Sequence, residues 1–481
     1  MCAVDDYWWL IVASLPPLEI VWVTIAAVYI ILQRRSAHAT LAWIFTLAFF
    51  PILGITLYTV LGPRRYERRK KRRARALAAV HESTTMIDAH RGDSAGSRSQ
   101  LARMLECTVG RAGRPRRADA RLFFDGKSKY DALEAAIREA GRHIHLEYYI
   151  WEPDVTGTRL RDLLIERAEA GVEIRVLVDG FGSSNAHDRF WQPLRDAGGQ
   201  VRRFNEVTLM RWRPRMVNFR THRKIVVLDG IVGFTGGMNV TDVHTSDVSN
   251  EAAWRDTHLE IRGHAVKGLQ MVFFEDWHYA GGDAPEVDRY LPTGSSLDFG
   301  KYTAQIVSSG PDENLDAIHK LFFTAIAAAK ERVQLTTPYF VPDETVLAAL
   351  TAAALGGVDV RVLVPEGGDQ PFVAAAARSY YPELLEAGVK IYEMTDPVLH
   401  AKTLVVDDLA VIGTANTDTR SFRLNFEVVV AFEERELADE LAVVFERDLS
   451  SADRVSLDAL RKAPLTRRLV SSVARLFSPI L

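Results

Sequence analysis

The sequence predicts an α/β protein made of two related α/β sandwich halves in a pseudo-twofold pair, preceded by two transmembrane helices. Three observations lead there: long apolar stretches near the amino terminus, an internal repeat of helices alternating with β-branched strands, and two copies of a His-x-Lys segment. At 481 residues the chain exceeds a single hydrophobic core, which stops growing near roughly 250 to 300 residues. With 48% hydrophobic and 25% charged residues it is neither disordered nor a small disulfide scaffold. Cys2 and Cys107 are far apart and have no pairing or metal spacing, which fits a reducing compartment.

The apolar end comes first. Thr40 to Leu61 carries no charge across 22 positions, enough to cross a hydrocarbon layer of about 30 Å as one helix. Leu10 to Leu32 is equally apolar except for Glu19, with Trp8 and Trp9 at the interface position and Pro16-Pro17 as a kink or break. The opening MCAVDDYWW lacks the basic start of a cleaved signal, so both segments are expected to be retained. Nine basic residues lie between Arg64 and Arg75 with only Glu67 against them. That run carries +8 of a chain whose net charge is −3, so the remainder carries −11. By the positive-inside rule it outweighs Arg34 and Arg35 and places the chain beyond residue 63 in the cytoplasm. Its position beside a span points to anionic lipid rather than nucleic acid, for it has no interleaved aromatics to stack on bases.

After a polar stretch the repeat begins. Its first half has a helix from Asp131 to Ala140, a strand in RHIHLEYYIWEPD, a helix from Gly157 to Ala170 and a strand in VEIRVLV. The second half repeats the order with Leu315 to Lys330, ERVQLTTPYFVPD, Glu344 to Leu355 and VDVRVLV. Such alternation implies sheets covered on both faces. The Gly, Pro and Ser content of residues 281–300 marks a linker. The expected division is a transmembrane hairpin over 1–62, a basic juxtamembrane linker over 63–118, a first domain over 119–292 and a second over 293–481.

Each half ends in a related segment, HRKIVVLDGIVGFTGGMN at His222 to Asn239 and HAKTLVVDDLAVIGTAN at His400 to Asn416. Each reads as a strand, a tight turn at an aspartate and a returning strand. Because side chains alternate along a strand, His222 and Lys224 share a face, as do His400 and Lys402. Two imidazoles can serve as nucleophile and general acid while two ammonium groups neutralise the non-bridging oxygens of a phosphodiester. Asn239, Thr414 and Asn416 are expected to complete the substrate's anion site. The acids Asp256 and Glu427, each opening a later strand, are expected to orient the imidazoles. Tyr149, Tyr339 and Arg378 are candidates for the pocket wall.

On these residues the sequence resembles the phospholipase D superfamily, whose signature is His-x-Lys-x4-Asp followed by Gly-Ser-x-Asn or a near variant. The first motif has Gly237 where serine is common. The second has Thr414 and one residue fewer between Asp407 and Gly413, read as a shortened turn that leaves open which of Asp407 and Asp408 matches Asp229. Within the superfamily the chain is similar to bacterial cardiolipin synthases through ATLAW, EYYIW, WRDTH, PYFVPD and RSFRLNFE as well as the apolar and basic amino-terminal segments. The resemblance implies two phospholipase D-like halves sharing one site. It also implies phosphatidyl transfer between two phosphatidylglycerol molecules, giving cardiolipin and glycerol through a phosphatidyl-histidine.

The catalytic set carried over is His222, Lys224 and Asp229 with His400, Lys402 and Asp407. His222 is taken as nucleophile and His400 as acid then base by analogy, and the two aspartates are expected to brace the turn or the interface between halves. No cofactor and no metal are expected, since the other histidines, among them His143, His145, His244 and His258, have no ligand spacing. The partners implied are phosphatidylglycerol and an anionic bilayer of the bacterial inner membrane, without nucleic acid; a homo-oligomer is compatible with the sequence. The alternative reading is a membrane phospholipase D or phosphatidyltransferase using water or another alcohol; a membrane scaffold and a tethered nuclease are the rivals from other classes. At the carboxyl end, Leu465, Leu469, Val470, Val473, Leu476 and Phe477 recur at helical spacing, as in a helix that lies in the membrane interface or docks on the protein.

Overall fold

A computed structural model describes residues 21–33, 37–61, 99–109, 113–206, 219–248, 252–283, 287–292, 300–311, 315–368 and 370–478. The chain divides into an amino-terminal unit and a main unit. The arginine- and lysine-rich run, Trp8, Trp9 and Pro16-Pro17 lie outside the described residues.

The amino-terminal unit corrects one expectation. The single helix expected over Thr40 to Leu61 is two, Ala37–Phe49 and Pro51–Leu61. Pro51 has no N–H to donate and its ring crowds the preceding turn, so the break falls at Phe50. The two pieces fold back on each other: the Trp43 and Tyr58 rings stand 5.1 Å apart, and a Cβ on Gly54 would lie 2.8 Å from the Thr46 carbonyl oxygen. Residues 21–31 are also helical, and Ala26, Ile30 and Leu47 form a small shared core. At about 1.5 Å per residue neither piece reaches 30 Å. Among the described residues no helix is long and apolar enough to cross a membrane.

In the main unit the strands form one ordered series. The first half contributes β1 (Arg116–Phe123), β2 (His143–Tyr148), β3 (Glu173–Asp179), β4 (Gln200–Phe204), β5 (Ile225–Leu228), β6 (Val232–Gly236) and β7 (His258–Arg262). The second contributes β8 (Tyr302–Ser309), β9 (Arg332–Thr336), β10 (Phe340–Val341), β11 (Asp359–Pro365), β12 (Lys390–Met394), β13 (Thr403–Val406), β14 (Leu409–Gly413), β15 (Thr417–Asp418), β16 (Glu427–Glu433) and β17 (Ala452–Arg454). Outward from the central β1–β8 pair, one side runs β7-β6-β5-β2-β3-β4 and the other β16-β14-β13-β9-β11-β12, with β17 added at the edge. The two orders are the same, which is the pseudo-twofold expected of the repeat.

Within each half β2-β3-β4 and β9-β11-β12 are parallel and carry crossover helices, while the motif hairpins pair antiparallel. The helices Val155–Glu169 and Glu344–Leu355 start at equivalent aspartates, Asp154 and Asp343, whose carboxylates accept from the third residue on. One core joins the halves. Ile225 and Val227 of β5 and Leu259 and Ile261 of β7 pack with Val405 of β13, Ile412 of β14 and Val428 and Val430 of β16. The helix Val266–Tyr279, buried along nearly its whole length, belongs to the same core. Both motif hairpins are thereby held against one shared interior.

Candidate active site

The histidines precede the hairpin strands, and their backbone is tied to the opposite half. The His222 N–H donates to the Phe426 carbonyl at 2.9 Å, and the His400 N–H donates to the Arg255 carbonyl at 2.7 Å. Thr221 bridges to Phe426 and Arg255 to Leu399. Each histidine therefore lies beside the acid that comes after the other half's motif. His222 Nδ1 is 3.0 Å from both carboxylate oxygens of Glu427, and His400 Nδ1 is 2.6 Å from Asp256 Oδ2. The two dyads are crossed, each built from both halves.

Both acids are fully buried, whereas His222 retains 8% and His400 7% of its surface, so the imidazole is the exposed member of each dyad. With Nδ1–H donated to a carboxylate, each Nε2 is left to face the opening. Lys224 Nζ donates to the His222 carbonyl at 2.7 Å, and Lys402 Nζ lies 2.9 Å from His400 Nδ1. Arg223 ties the halves together behind the site, pairing with Asp276 and donating to the Glu427 and Ser309 carbonyls at 3.1 Å each.

The charges act across the halves. Burial lowers His222 to about 4, with Lys224 and Lys402 adding to that effect and Glu427 opposing it. Burial likewise lowers His400, helped by Lys402 and Lys224 and opposed by Asp256. Burial alone would raise Asp256, but Lys402 and His400 outweigh it and hold the carboxyl well below its ordinary range. Glu427 is held down in the same way, burial being overcome by His222 and Lys224. Lys224 falls to about 7, chiefly through burial. At neutral pH both dyads therefore rest as neutral imidazole with ionised carboxylate.

Other expected site residues fall elsewhere. Asp229 and Asp407, counted with the catalytic set, sit at the far ends of their strands. Seven positions at about 3.3 Å each put them some 23 Å from the histidines. Asp229 accepts from the backbone N–H groups of Gly141, Arg142 and His143 at 2.7 to 2.8 Å, and Asp407 from Lys330, Glu331 and Arg332 at 2.9 to 3.0 Å. Both have positive φ, 54° and 51°, a conformation aspartate tolerates better than most residues. Asp407 rather than Asp408 is the equivalent of Asp229. The missing residue lies in the turn, since Leu228 pairs with Val232 but Val406 with Leu409. Asp229→Ala or Asp407→Ala is expected to cost about 2 kcal/mol of stability through the three lost acceptor contacts. Thermal unfolding should show the loss, with turnover per folded molecule kept within about twofold.

Thr414, expected on the substrate, is committed to an acid: its hydroxyl donates to Glu427 Oε2 at 2.5 Å. Its counterpart Gly237 is small for the same reason, because a Cβ there would lie 2.0 Å from Asp256 Oδ1. Asn239 Oδ1 accepts from the Ile150 N–H at 3.2 Å. Asn416 Oδ1 is buried without a partner among the described residues. The Tyr149 ring lies 5.1 Å from His222. Arg378 is tied up by Glu393 at 3.0 Å and by the Glu366 carbonyl at 2.6 Å.

Sequence reasoning missed His244. A ring nitrogen of His244, the Asp256 carboxylate and a ring nitrogen of His400 lie within 4.8 Å of one another. Its Nε2 accepts from the Asn239 N–H at 3.1 Å, so Nδ1 carries the proton, and Nδ1 is buried without a partner among the described residues. The counterpart is Ser421, whose hydroxyl accepts from the Asn416 N–H at 3.1 Å; both acceptors stand five residues after the motif asparagine. That common offset was the signal available in the sequence. These three groups also have the chemistry of a cation site. A cation there would meet the positive charge of Lys402, whose Nζ lies 2.9 Å from His400 Nδ1.

Crossed histidine–carboxylate dyads with two lysines, contributed by two equivalent halves, define the phospholipase D-like class. The sequence model described as cardiolipin synthase, PLD-like domain, matches residues 133–277 and 322–449, and one described as phospholipase D-nuclease N-terminal matches residues 20–63. The chain is 37% identical over 460 residues to a cardiolipin synthase of Alkalihalophilus pseudofirmus, covering 94% of this chain and 91% of that one. It is 38% identical over 485 residues to one from a Geobacillus species, covering 99% and 96%. Among solved structures, phosphatidylserine synthase from Haemophilus influenzae superposes with a TM-score of 0.58 at 16% identity, over 79% of this chain and all of that one, a likeness of fold. The chain belongs to the cardiolipin synthase family of phospholipase D-like proteins.

Proposed function

We propose that this protein is a membrane-associated cardiolipin synthase, exchanging one phosphodiester for another between two phosphatidylglycerol molecules. The crossed dyads carry the reading: two neutral imidazoles, each fixed by a buried carboxylate, beside two lysines. His222 Nε2 attacks phosphorus and forms a P–N bond while the bond to the departing glycerol oxygen breaks. The reaction proceeds through the fraction of molecules in which His400 has taken up a second proton, on Nε2, and His400 gives that proton to the departing oxygen. The headgroup hydroxyl of a second phosphatidylglycerol then returns a proton to His400 and attacks phosphorus, breaking the P–N bond and releasing cardiolipin. Lys224 and Lys402 offset charge on the non-bridging oxygens. One diester replaces another, so no nucleotide is consumed.

The amino-terminal unit supports a membrane location. Val21, Ile25, Leu32, Leu41, Phe45, Phe49, Phe50 and Leu53 are all exposed, an outward apolar face suited to lipid. We read residues 1–62 as the membrane module of a bacterial inner-membrane enzyme. The basic linker over 63–118 then holds two catalytic domains, 119–292 and 293–481, on the cytoplasmic side.

Purified protein in mixed micelles of phosphatidylglycerol is expected to give cardiolipin and glycerol in equal amounts. Phosphatidic acid without cardiolipin would favour a hydrolase, and cleavage of nucleic acid a nuclease. The pH profile is set by the site. His222 must be neutral to attack, so kcat/KM should rise through about pH 4; His400 must be protonated and burial lowers it, so the alkaline limb should begin below the ordinary histidine range and steepen as Lys224 loses its proton near pH 7. Binding an anionic phosphodiester favours both protonated forms, so it should take up protons from buffer above pH 7, measurable by calorimetry in buffers of different ionisation enthalpy.

We assign His244 to positioning the His400–Asp256 dyad, its ring 5.8 Å from that of His400 and its Nε2 holding the Asn239 N–H. His244→Ala is expected to lower kcat about tenfold and to shift the alkaline limb. His244→Asn, which keeps one acceptor and one donor, should restore most of the rate; equal losses in both variants would mean a purely structural role.

A further inference from the structure

The last helix, Leu465–Arg475, faces the wrong way for a helix that docks to gain stability. Its one buried residue is Ala474. It rests on the helix Pro371–Arg378 and the turn beyond it through its carboxyl end: Phe477 meets Phe372 with ring centroids 5.5 Å apart, Tyr380 Oη donates to Ser478 Oγ at 2.8 Å, and the Arg475 guanidinium lies 4.3 Å over the Tyr380 ring. At about 100° per residue, Leu465, Leu469, Val470, Val473, Leu476 and Phe477 fall within an arc of about 140° that excludes Ala474. All six are exposed, Leu465 and Leu476 to 76% and Leu469 to 61%. Arg467, Arg468 and Arg475 occupy the remaining side of the wheel.

The patch continues onto the supporting helix. Phe372 is exposed, while Val373, Ala374 and Ala377 of the same helix line a small hollow with Pro338, Tyr339 and Phe340. Phe340 pairs with Thr417, the residue after Asn416 of the second motif. The apolar face therefore continues onto a helix that packs beside the strand pair adjoining the second motif.

We propose that this helix is a second membrane contact, lying in the interface of an anionic bilayer with its apolar face immersed and its arginines among the phosphates. The proposal rests on the lipid-substrate reading for the choice of partner. The three arginines beside the apolar face match the phosphates of an anionic surface, and pairing with a second copy of the chain is the outcome that concentration dependence in the test separates. Seated this way, the helix holds the second half of the protein against the lipid from which substrate comes.

The test uses the full chain in lipid nanodiscs containing phosphatidylglycerol, with Cys2 and Cys107 replaced by serine. A polarity-sensitive fluorophore is placed on Leu469→Cys and, as a control on the other face, on Arg468→Cys. The label at 469 should shift to the blue and be quenched by nitroxide-bearing lipid, with the label at 468 much less affected. If iodide in the aqueous phase quenches both labels equally, or if shielding at 469 depends on protein concentration and not on nitroxide lipid, the proposal fails. A second arm compares Leu469→Asp/Val473→Asp with the parent: turnover on vesicles should fall about tenfold while turnover in mixed micelles is unchanged. Equal turnover on vesicles would contradict it. Quenching needs no chemistry, so a failure of the cardiolipin synthase reading would appear in the product assay and leave the fluorescence result standing.

Discussion

His222→Ala is expected to lower phosphatidyl transfer by roughly 10⁴-fold or more, and His400→Ala by a similar factor with a natural phospholipid. The two losses have different origins. Without His222 no P–N bond forms, and no change of substrate restores the rate. Without His400 the covalent step remains available, but glycerol must leave as an alkoxide. A phosphatidyl ester of p-nitrophenol, whose leaving group needs no proton, should therefore recover much of the lost first-step rate in His400→Ala and none in His222→Ala. A burst of nitrophenolate from the His400 variant is the readout. Recovery in the opposite variant would exchange the two roles.

The second large effect comes from the crossing. Asp256 stands 2.6 Å from His400 and Glu427 3.0 Å from His222, so each carboxylate is expected to behave like the histidine of the opposite half. Asp256→Asn and Glu427→Gln should each cost about 10² to 10⁴-fold with phosphatidylglycerol, because an amide in place of the acid favours the wrong imidazole tautomer and cannot offset its charge. With the nitrophenyl ester, Asp256→Asn should recover as His400→Ala does, while Glu427→Gln should stay slow. If instead Asp256→Asn tracks His222→Ala, the dyads are not wired as the geometry has them. Glu427 also receives the Thr414 hydroxyl, so Thr414→Val should give a weaker copy of the Glu427→Gln effect.

Much of the site was legible because its signals are local. A histidine and a lysine two residues apart on a strand must share a face, and two copies in one repeat imply one shared centre. The acids Asp256 and Glu427 were visible as strand openings, but which imidazole each meets was not. That depends on the pairing of Thr221 with Phe426 and of Arg255 with Leu399, contacts between segments far apart in sequence. His244 escaped because it joins the site through a backbone N–H, that of Asn239, and spacing rules for metal ligands do not register such a bond. Asp229 and Asp407 sit in the signature and so drew a catalytic role. Their strands carry them away from the histidines, to turns where they order the start of β2 and β9. The apolar run from Thr40 to Leu61 was read from composition, which is blind to a proline. Pro51 divides it into two helices, and hydropathy averaged over the whole run does not report the fold-back.

The central claim is that one site built from both halves passes a phosphatidyl group through His222. It is tested most directly by mixing the protein with phosphatidylglycerol, stopping the reaction within milliseconds at alkaline pH, where phosphoramidates survive, and locating the adduct by mass spectrometry of the peptides. The account predicts a phosphorus-linked lipid fragment on His222, absent in Glu427→Gln and retained in Asp256→Asn when the nitrophenyl ester is the donor. An adduct on His400, or cardiolipin formed at full rate with no adduct on either histidine, would contradict it.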